Sequence, residues 1–210
     1  MGMLVTRLFS EPRCSVCLNV SDRAQGDGSI CSACLVEIET ARCRENDPAG
    51  GGIYTYHGAV RTLMHRYKFE GALELADFIA AAYSSALKKR YFRHYSPEDT
   101  VILSIPSGKT AKRRNGRGHM ERVLGRLRRE GYTTQSHVLA RRPGTPQKGL
   151  SREARLQNMR DRLYLKREVA GLGVLLIDDV RTTGATIEAA REILISAGAA
   201  RVDWLCFAID

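Results

Sequence analysis

Past residue 52 the apolar positions fall into segments of two kinds, short continuous runs and helical stripes. Residues 53–56 (Ile-Tyr-Thr-Tyr) read as a short strand. Over 59–69 a helical repeat puts Val60, Leu63, Met64 and Tyr67 on one face. A longer helix over 72–92 carries Leu75, Phe78, Ile79, Ala82 and Ala86 as its stripe. The pattern then alternates: strand 101–105, helix 119–131 with Val123, Leu124 and Leu127 inward, and strand 136–140. Strand 174–179, helix 186–199 and strand 202–209 complete it. The run Val-Leu-Leu-Ile before Asp178 is apolar at every position, as in a strand covered on both faces. Strand–helix–strand alternation of this kind predicts an α/β fold with a doubly wound parallel sheet.

The first 45 residues do not fit that pattern. Cys14, Cys17, Cys31 and Cys34 form two C-x2-C pairs separated by thirteen residues. Each pair can present two thiolates to one ion, and four sulfurs close a tetrahedral zinc sphere, so the predicted metal is structural. A disulfide pair and a redox C-x-x-C are the other readings of such cysteines. Cys43 and Cys206 stand outside the frame. The polar, Gly-rich stretch 44–52 reads as a linker. The organisation expected is a zinc-binding module over 1–45 and an α/β domain over 46–210.

Charge is uneven along the 210 residues, whose formal net charge is +10. Residues 109–167 hold 18 of the 33 Lys and Arg but only 4 of the 23 acids. So basic a segment suits a polyanionic ligand, either a phosphorylated small molecule or a nucleic acid. A solvated Arg-rich helix face is the plainer explanation. No apolar run approaches the roughly 20 residues of a membrane span, and the N-terminus lacks a signal-peptide core, so a cytoplasmic chain without membrane insertion is expected.

Two stretches carry the candidate chemistry. "IPSGKT" at 105–110 looks like the end of a P-loop, but the position that must be glycine is Leu103, inside a strand, and Pro106 removes an amide donor. A response-regulator pocket needs a partner acid on an earlier strand, and "VILSIPS" has none. "VLLIDDVRTTGAT" (174–186) ends a strand in Asp178 and Asp179 and opens a helix through Thr182, Thr183, Gly184 and Thr186. Free amides at a helix start favour an anion, threonine hydroxyls add donors, and Gly184 allows close approach. A sugar phosphate satisfies both halves, with its hydroxyls on the carboxylates and its phosphate in the cup.

"VLLIDDVRTTGAT" closely resembles the phosphoribosyl-diphosphate (PRPP) signature of type I phosphoribosyltransferases, and the zinc frame before it resembles the ComF-like competence-protein family. "YTYHGAVRTLMHRYKF" (54–69), "IPSG" (105–108), Leu139–Arg141, Gln147 and "RLQN" (155–158) match that family in order. The family usually has Arg-Gly-Phe-Asn-Gln before its second core helix. Here the stretch is Arg117, Gly118, His119, Met120, Glu121, and Leu163 stands where an aromatic usually follows Asn158.

The resemblance implies a phosphoribosyltransferase-like fold binding PRPP with Mg²⁺, with Asp178 and Asp179 on the ribose hydroxyls. It places Val180, Arg181, Thr182, Thr183, Gly184, Ala185 and Thr186 around the 5′-phosphate. Pro106, Ser107, Gly108 and Lys109 would face the departing pyrophosphate, with Arg113, Arg114 and Arg117 as loop cations. It implies a link to competence and DNA uptake, with single-stranded DNA and a helicase-type protein as partners. The alternative is a non-catalytic nucleotide or nucleic-acid binder in transformation. Few aromatics for base stacking occur in 109–167, only Tyr132 and Tyr164. A scaffold whose zinc module docks a partner is a third reading.

Overall fold

The computed structural model describes residues 12–21, 29–43, 50–106, 118–142 and 152–210. Among them, β1 (Gly50–Thr55), β2 (Thr100–Ser104), β3 (Thr134–Gln135), β6 (Gly173–Arg181) and β7 (Arg201–Ile209) form one parallel sheet in the order β1-β7-β6-β2-β3. Two further strands, β4 (Leu139–Arg141) and β5 (Leu163–Leu165), pair antiparallel as a separate flap. The helices are α1 (Ser32–Thr40), α2 (Gly58–His65), α3 (Leu75–Ala86), α4 (His119–Arg129), α5 (Arg152–Arg162) and α6 (Ala185–Ser196). Helices α2 and α3 each run on into one π-helical turn, Arg66–Glu70 and Leu87–Tyr91. The first stops at Gly71, whose φ of 78° is the left-handed end that glycine reaches without strain.

The doubly wound parallel sheet agrees with the sequence pattern. Residue alternation divides the core in two. Ile102, Leu175, Ile177, Leu205 and Phe207 face the side of α2, α3 and α4, where Val60, Leu63, Leu75, Ile79, Val123, Leu124 and Leu127 are all buried. Val101, Leu103, Val174, Leu176 and Val202 face the opposite layer, with Ile187, Ala190 and Leu194 of α6. Each fully buried aliphatic side chain contributes about 1.5–3 kcal/mol, so both faces are strongly driven.

Three sequence expectations need correction. The strand expected over 136–140 is two pieces: Thr134–Gln135 extends the main sheet, and Leu139–Arg141 turns away to pair with β5. The break falls at His137, whose φ of 62° no strand tolerates. The expected linker ends early, because Gly50, Gly51 and Gly52 already belong to β1. Glycine is required there: a Cβ on Gly50 would lie 2.3 Å from the Trp204 Nε1, and one on Gly52 would lie 2.7 Å from Ile209 Cγ2. Finally, α5 and β5 were not anticipated. They close the flap through Met159 and Leu163, which pack with Val138 and Leu139.

The four-cysteine segment shares the main core. Val16, Ile30 and Ile38 are buried in the same cluster as Ile53 and Val60. Its exit strand covers the open edge of β1, through Cys43 N–H to the Ile53 carbonyl at 2.9 Å and Thr55 N–H to the Ala41 carbonyl at 2.8 Å. Glu37 Oε1 accepts the Ala59 N–H at 2.9 Å, supplying from α1 a cap that α2 lacks in its own sequence. The expected division between 1–45 and 46–210 falls in 44–49, outside the described residues.

Candidate functional site

The strand order locates the crevice. The helix after β2 carries the chain to β3 on one side, whereas α6 carries it from β6 to β7 on the other. Neighbouring strands whose connections diverge leave a gap beyond their carboxyl ends, the switch point where α/β sheets bind ligands. β2 and β6 flank that gap, with Ser104 opposite Ile177 and the Ile105 N–H bonded to the Ile177 carbonyl at 3.2 Å. Ile105 thus continues β2 level with Asp178, and Pro106 follows it at the carboxyl end of the strand. Ser107, Gly108, Lys109, Arg113, Arg114 and Arg117 lie outside the described residues, as does Gln147.

Asp178 and Asp179 end the buried run of β6, and strand alternation sends them to different faces. Asp179 follows the parity of Leu175 and Ile177, towards α2 and α4. There its Oδ1 pairs with Lys68 Nζ at 2.7 Å and accepts the Val180 N–H at 2.6 Å, while Oδ2 pairs with His119 Nε2. Asp178 Oδ1 accepts the Asp179 N–H at 2.9 Å, and the Asp178 carbonyl accepts the Tyr83 hydroxyl at 2.5 Å.

Environment separates the two acids. Burial pushes the Asp178 carboxyl up, the Asp179 charge pushes it further, and together they outweigh Lys68 and Arg141. Burial acts on Asp179 in the same sense, but the His119 hydrogen bond and the Lys68 ammonium prevail and hold its carboxyl below the usual range. The two shifts run in opposite senses, Asp178 towards its neutral form and Asp179 towards its anion. Arg141, on β4 of the flap, acts on Asp178 electrostatically, and its Nε is buried without a hydrogen-bond partner among the described residues.

A helix start follows the acids at the carboxyl end of β6. α6 begins at Ala185 behind Gly184, whose φ is 78° and which offers no side chain to cap the helix amides. A Cβ on Gly184 would lie 3.0 Å from the Arg181 guanidinium, which itself stacks over the Trp204 ring at 4.9 Å. Thr182, Thr183 and Thr186 surround this turn at the carboxyl end of β6, and none is fully buried. Val180 remains in the strand, opposite Ala208.

The sulfurs of Cys14, Cys17, Cys31 and Cys34 all lie within 4.8 Å of one another. Cys17 and Cys31 are 3.8 Å apart, too far for a disulfide bond, and all six cysteines are free. Cys14 Sγ accepts the amides of Val16 at 3.4 Å and Cys31 at 3.3 Å. Burial raises the Cys14 thiol, but these amides outweigh it and bring the group down to about 6. Four clustered sulfurs with amide support fit a tetrahedral thiophilic ion.

No family model matches the chain. It is 26% identical over 206 residues to competence protein ComFC of Streptococcus pneumoniae, covering 94% of this chain and 88% of that one. It is 26% identical over 181 residues to ComFC of Bacillus subtilis, covering 85% and 71%. DNA utilization protein YhgH of Escherichia coli is 26% identical over 204 residues, covering 92% and 88%. The chain is thus similar to ComFC competence proteins and to YhgH over most of its length. Similar solved structures include a purine phosphoribosyltransferase from Pyrococcus horikoshii, at 16% identity and TM-score 0.37 over 63% of this chain and 71% of that one. A hypoxanthine phosphoribosyltransferase from Staphylococcus aureus matches at 16% identity and TM-score 0.38 over 64% and 62%.

Lys68, Tyr83 and Arg141, which meet the acidic pair, were not singled out in the sequence as candidates for it. Lys68 is one polar position beside the buried Tyr67, and Tyr83 reads as an ordinary core aromatic. His119 carried a signal, because it stands where the family pattern has Phe. The structure explains that departure: its ring reaches the second acid of the signature. No described helix is long and apolar enough to cross a membrane.

Proposed function

We propose that this ComF-like protein binds PRPP with magnesium at the switch point and transfers its phosphoribosyl group to an acceptor base. The observation that carries the reading is the meeting, at one sheet edge, of an acidic pair of unequal charge and an uncapped helix N-terminus. A ribose diol meets an acceptor-only carboxylate at Asp179 and, at Asp178, a carboxyl able to donate as well. The α6 amides and Thr182, Thr183 and Thr186 take the 5′-phosphate.

In the transfer, the bond from the anomeric carbon to the diphosphate oxygen breaks, and the diphosphate leaves with its electron pair. The acceptor nitrogen forms the new bond and releases its proton. Asp179, held as the anion of the pair, would stabilise the cationic transition state, and the protein's contribution is positioning and charge. A magnesium ion brought in with the diphosphate would be held by its oxygens and would supply charge neutralisation of the leaving group. Ser107–Lys109 and Arg113, Arg114 and Arg117 are assigned to the diphosphate side. We assign zinc to the four cysteines as a structural ion.

The relatives' names, competence protein and DNA utilization protein, support a role in the handling of DNA; a helicase-type partner is implied by the sequence resemblance alone. The rival reading, a pure nucleic-acid binder, draws on the basic segment. Part of that charge is already engaged: Arg126 chelates Asp77, and Arg128 is held by Thr134. Calorimetry with Mg·PRPP and a pyrophosphate-release screen over free bases test the proposal. Binding and release that Asp179→Asn abolishes support it. A magnesium–PRPP-soaked crystal with the ligand elsewhere overturns it.

A further inference from the structure

Asp179 is fully engaged before a ligand arrives. Both of its oxygens are taken, by Lys68 and the Val180 amide on Oδ1 and by His119 on Oδ2. A sugar hydroxyl needs one of them. The two side-chain partners are built very differently. His119 is 6% exposed, its carbonyl accepts the Tyr67 hydroxyl at 2.5 Å, and its ring meets the Tyr67 ring edge-on at 6.0 Å. It begins α4, whose Val123, Leu124 and Leu127 are locked in the core. Lys68 has a side chain 19% exposed, on a π-helical turn between the buried Tyr67 and the half-exposed Phe69. A lysine's four-carbon stem is flexible, and π turns of this kind cluster at functional sites.

We propose that Lys68 is an exchangeable counter-ion and His119 a fixed positioning residue: the incoming ribose hydroxyl takes the Asp179 oxygen that Lys68 holds, and the lysine ammonium moves to the ligand's diphosphate. This inference rests on the PRPP reading above. An unpaired carboxylate in so buried a position is costly, so the empty site needs a cation. A cation that stayed in place would compete with the sugar. Moving the ammonium from the carboxylate to an arriving anion gives the diphosphate a cation, while the ribose hydroxyl and His119 keep both Asp179 oxygens hydrogen-bonded. His119 meanwhile keeps the carboxylate aimed at the crevice.

Two magnesium-containing probes separate the halves of this exchange in calorimetry of the intact, zinc-loaded chain: PRPP, and ribose 5-phosphate, which lacks the diphosphate. Lys68→Met removes the ammonium and retains most of the stem. It is expected to weaken PRPP by about 10-fold or more, the scale of one charge-assisted hydrogen bond. It should leave ribose 5-phosphate unchanged or bound more tightly, since no cation need be displaced. Lys68→Arg, which keeps the charge, should restore most of the PRPP affinity and guards against a folding defect. Equal weakening of both probes by Lys68→Met, or no weakening of PRPP, overturns the exchange. Failure of the unaltered protein to bind either probe instead overturns the PRPP reading itself.

For His119 the readout is rescue. His119→Phe should weaken both probes, and His119→Gln, which retains an N–H donor, should recover much of the loss. If Phe and Gln behave alike while both proteins remain folded, His119 does not position Asp179 through this bond.

Discussion

The Tyr83 hydroxyl donates to the Asp178 carbonyl at 2.5 Å, from a side chain with no exposed surface. α3 thereby pins the strand at the residue where the site begins. Tyr83→Phe keeps the packing and deletes the bond. Loss of one buried hydrogen bond costs about 1 kcal/mol, which at this chain length lowers Tm by about 2–4 °C. Thermal denaturation checks the stability, and Mg·PRPP affinity should fall with it because the Asp178 main chain is freed.

Opposite shifts of the two acids make opposite predictions for pH. Asp178, raised by burial and by Asp179, holds a proton in the folded state where the unfolded chain has lost it. Its contribution to stability therefore falls as pH rises above the ordinary aspartate value of about 3.9. Asp179, lowered by His119 and Lys68 against burial, contributes stability above that value and loses it as pH falls further. In the ligand-free protein, Asp178→Asn should raise stability at pH 8 and flatten its decline from pH 5. Asp179→Asn should lower it, leaving Lys68 and His119 without their anion. Urea denaturation across that pH range reads both.

Gly50 lies under Trp204, the chain's single tryptophan. Gly50→Ala must displace the indole, and overpacking of this kind costs about 1–3 kcal/mol. Since Arg181 stacks on the same ring, the tryptophan emission spectrum should shift as stability drops. Gly51→Ala, where a Cβ meets nothing within 4 Å, is the matched control and should be near neutral.

The cysteine frame touches the segment that carries Lys68. Arg66 Nε donates to the Ser15 carbonyl at 2.5 Å, and the Ser15 hydroxyl donates to Glu74 Oε1 at 2.6 Å, from within the first C-x2-C loop. Chelation of the proposed zinc should free that loop, so amide exchange in residues 66–70 should accelerate more than in β6. Mass-spectrometric hydrogen exchange before and after chelation measures it. Equal protection in both states would leave the module without influence on the lysine turn.

Much of this was legible in order along the chain. A short apolar run of four residues before two acids reads as a strand covered on both faces, so β6 and its acids were evident, and the helix start that follows them is encoded locally by Gly184. Two C-x2-C pairs likewise specify a four-sulfur cluster, because the geometry of each pair is set within four residues. The glycines of β1 misled, since their reason is Trp204 and Ile209 on the neighbouring strand. Tertiary structure alone decided what Asp179 meets: His119 is 60 positions away and Lys68 further still, and neither belongs to a period that points at an acid. Periodicity reports which face of an element is buried, whereas the partner of a buried charge depends on how separate elements pack, and that is where the unequal charge of the two aspartates arises.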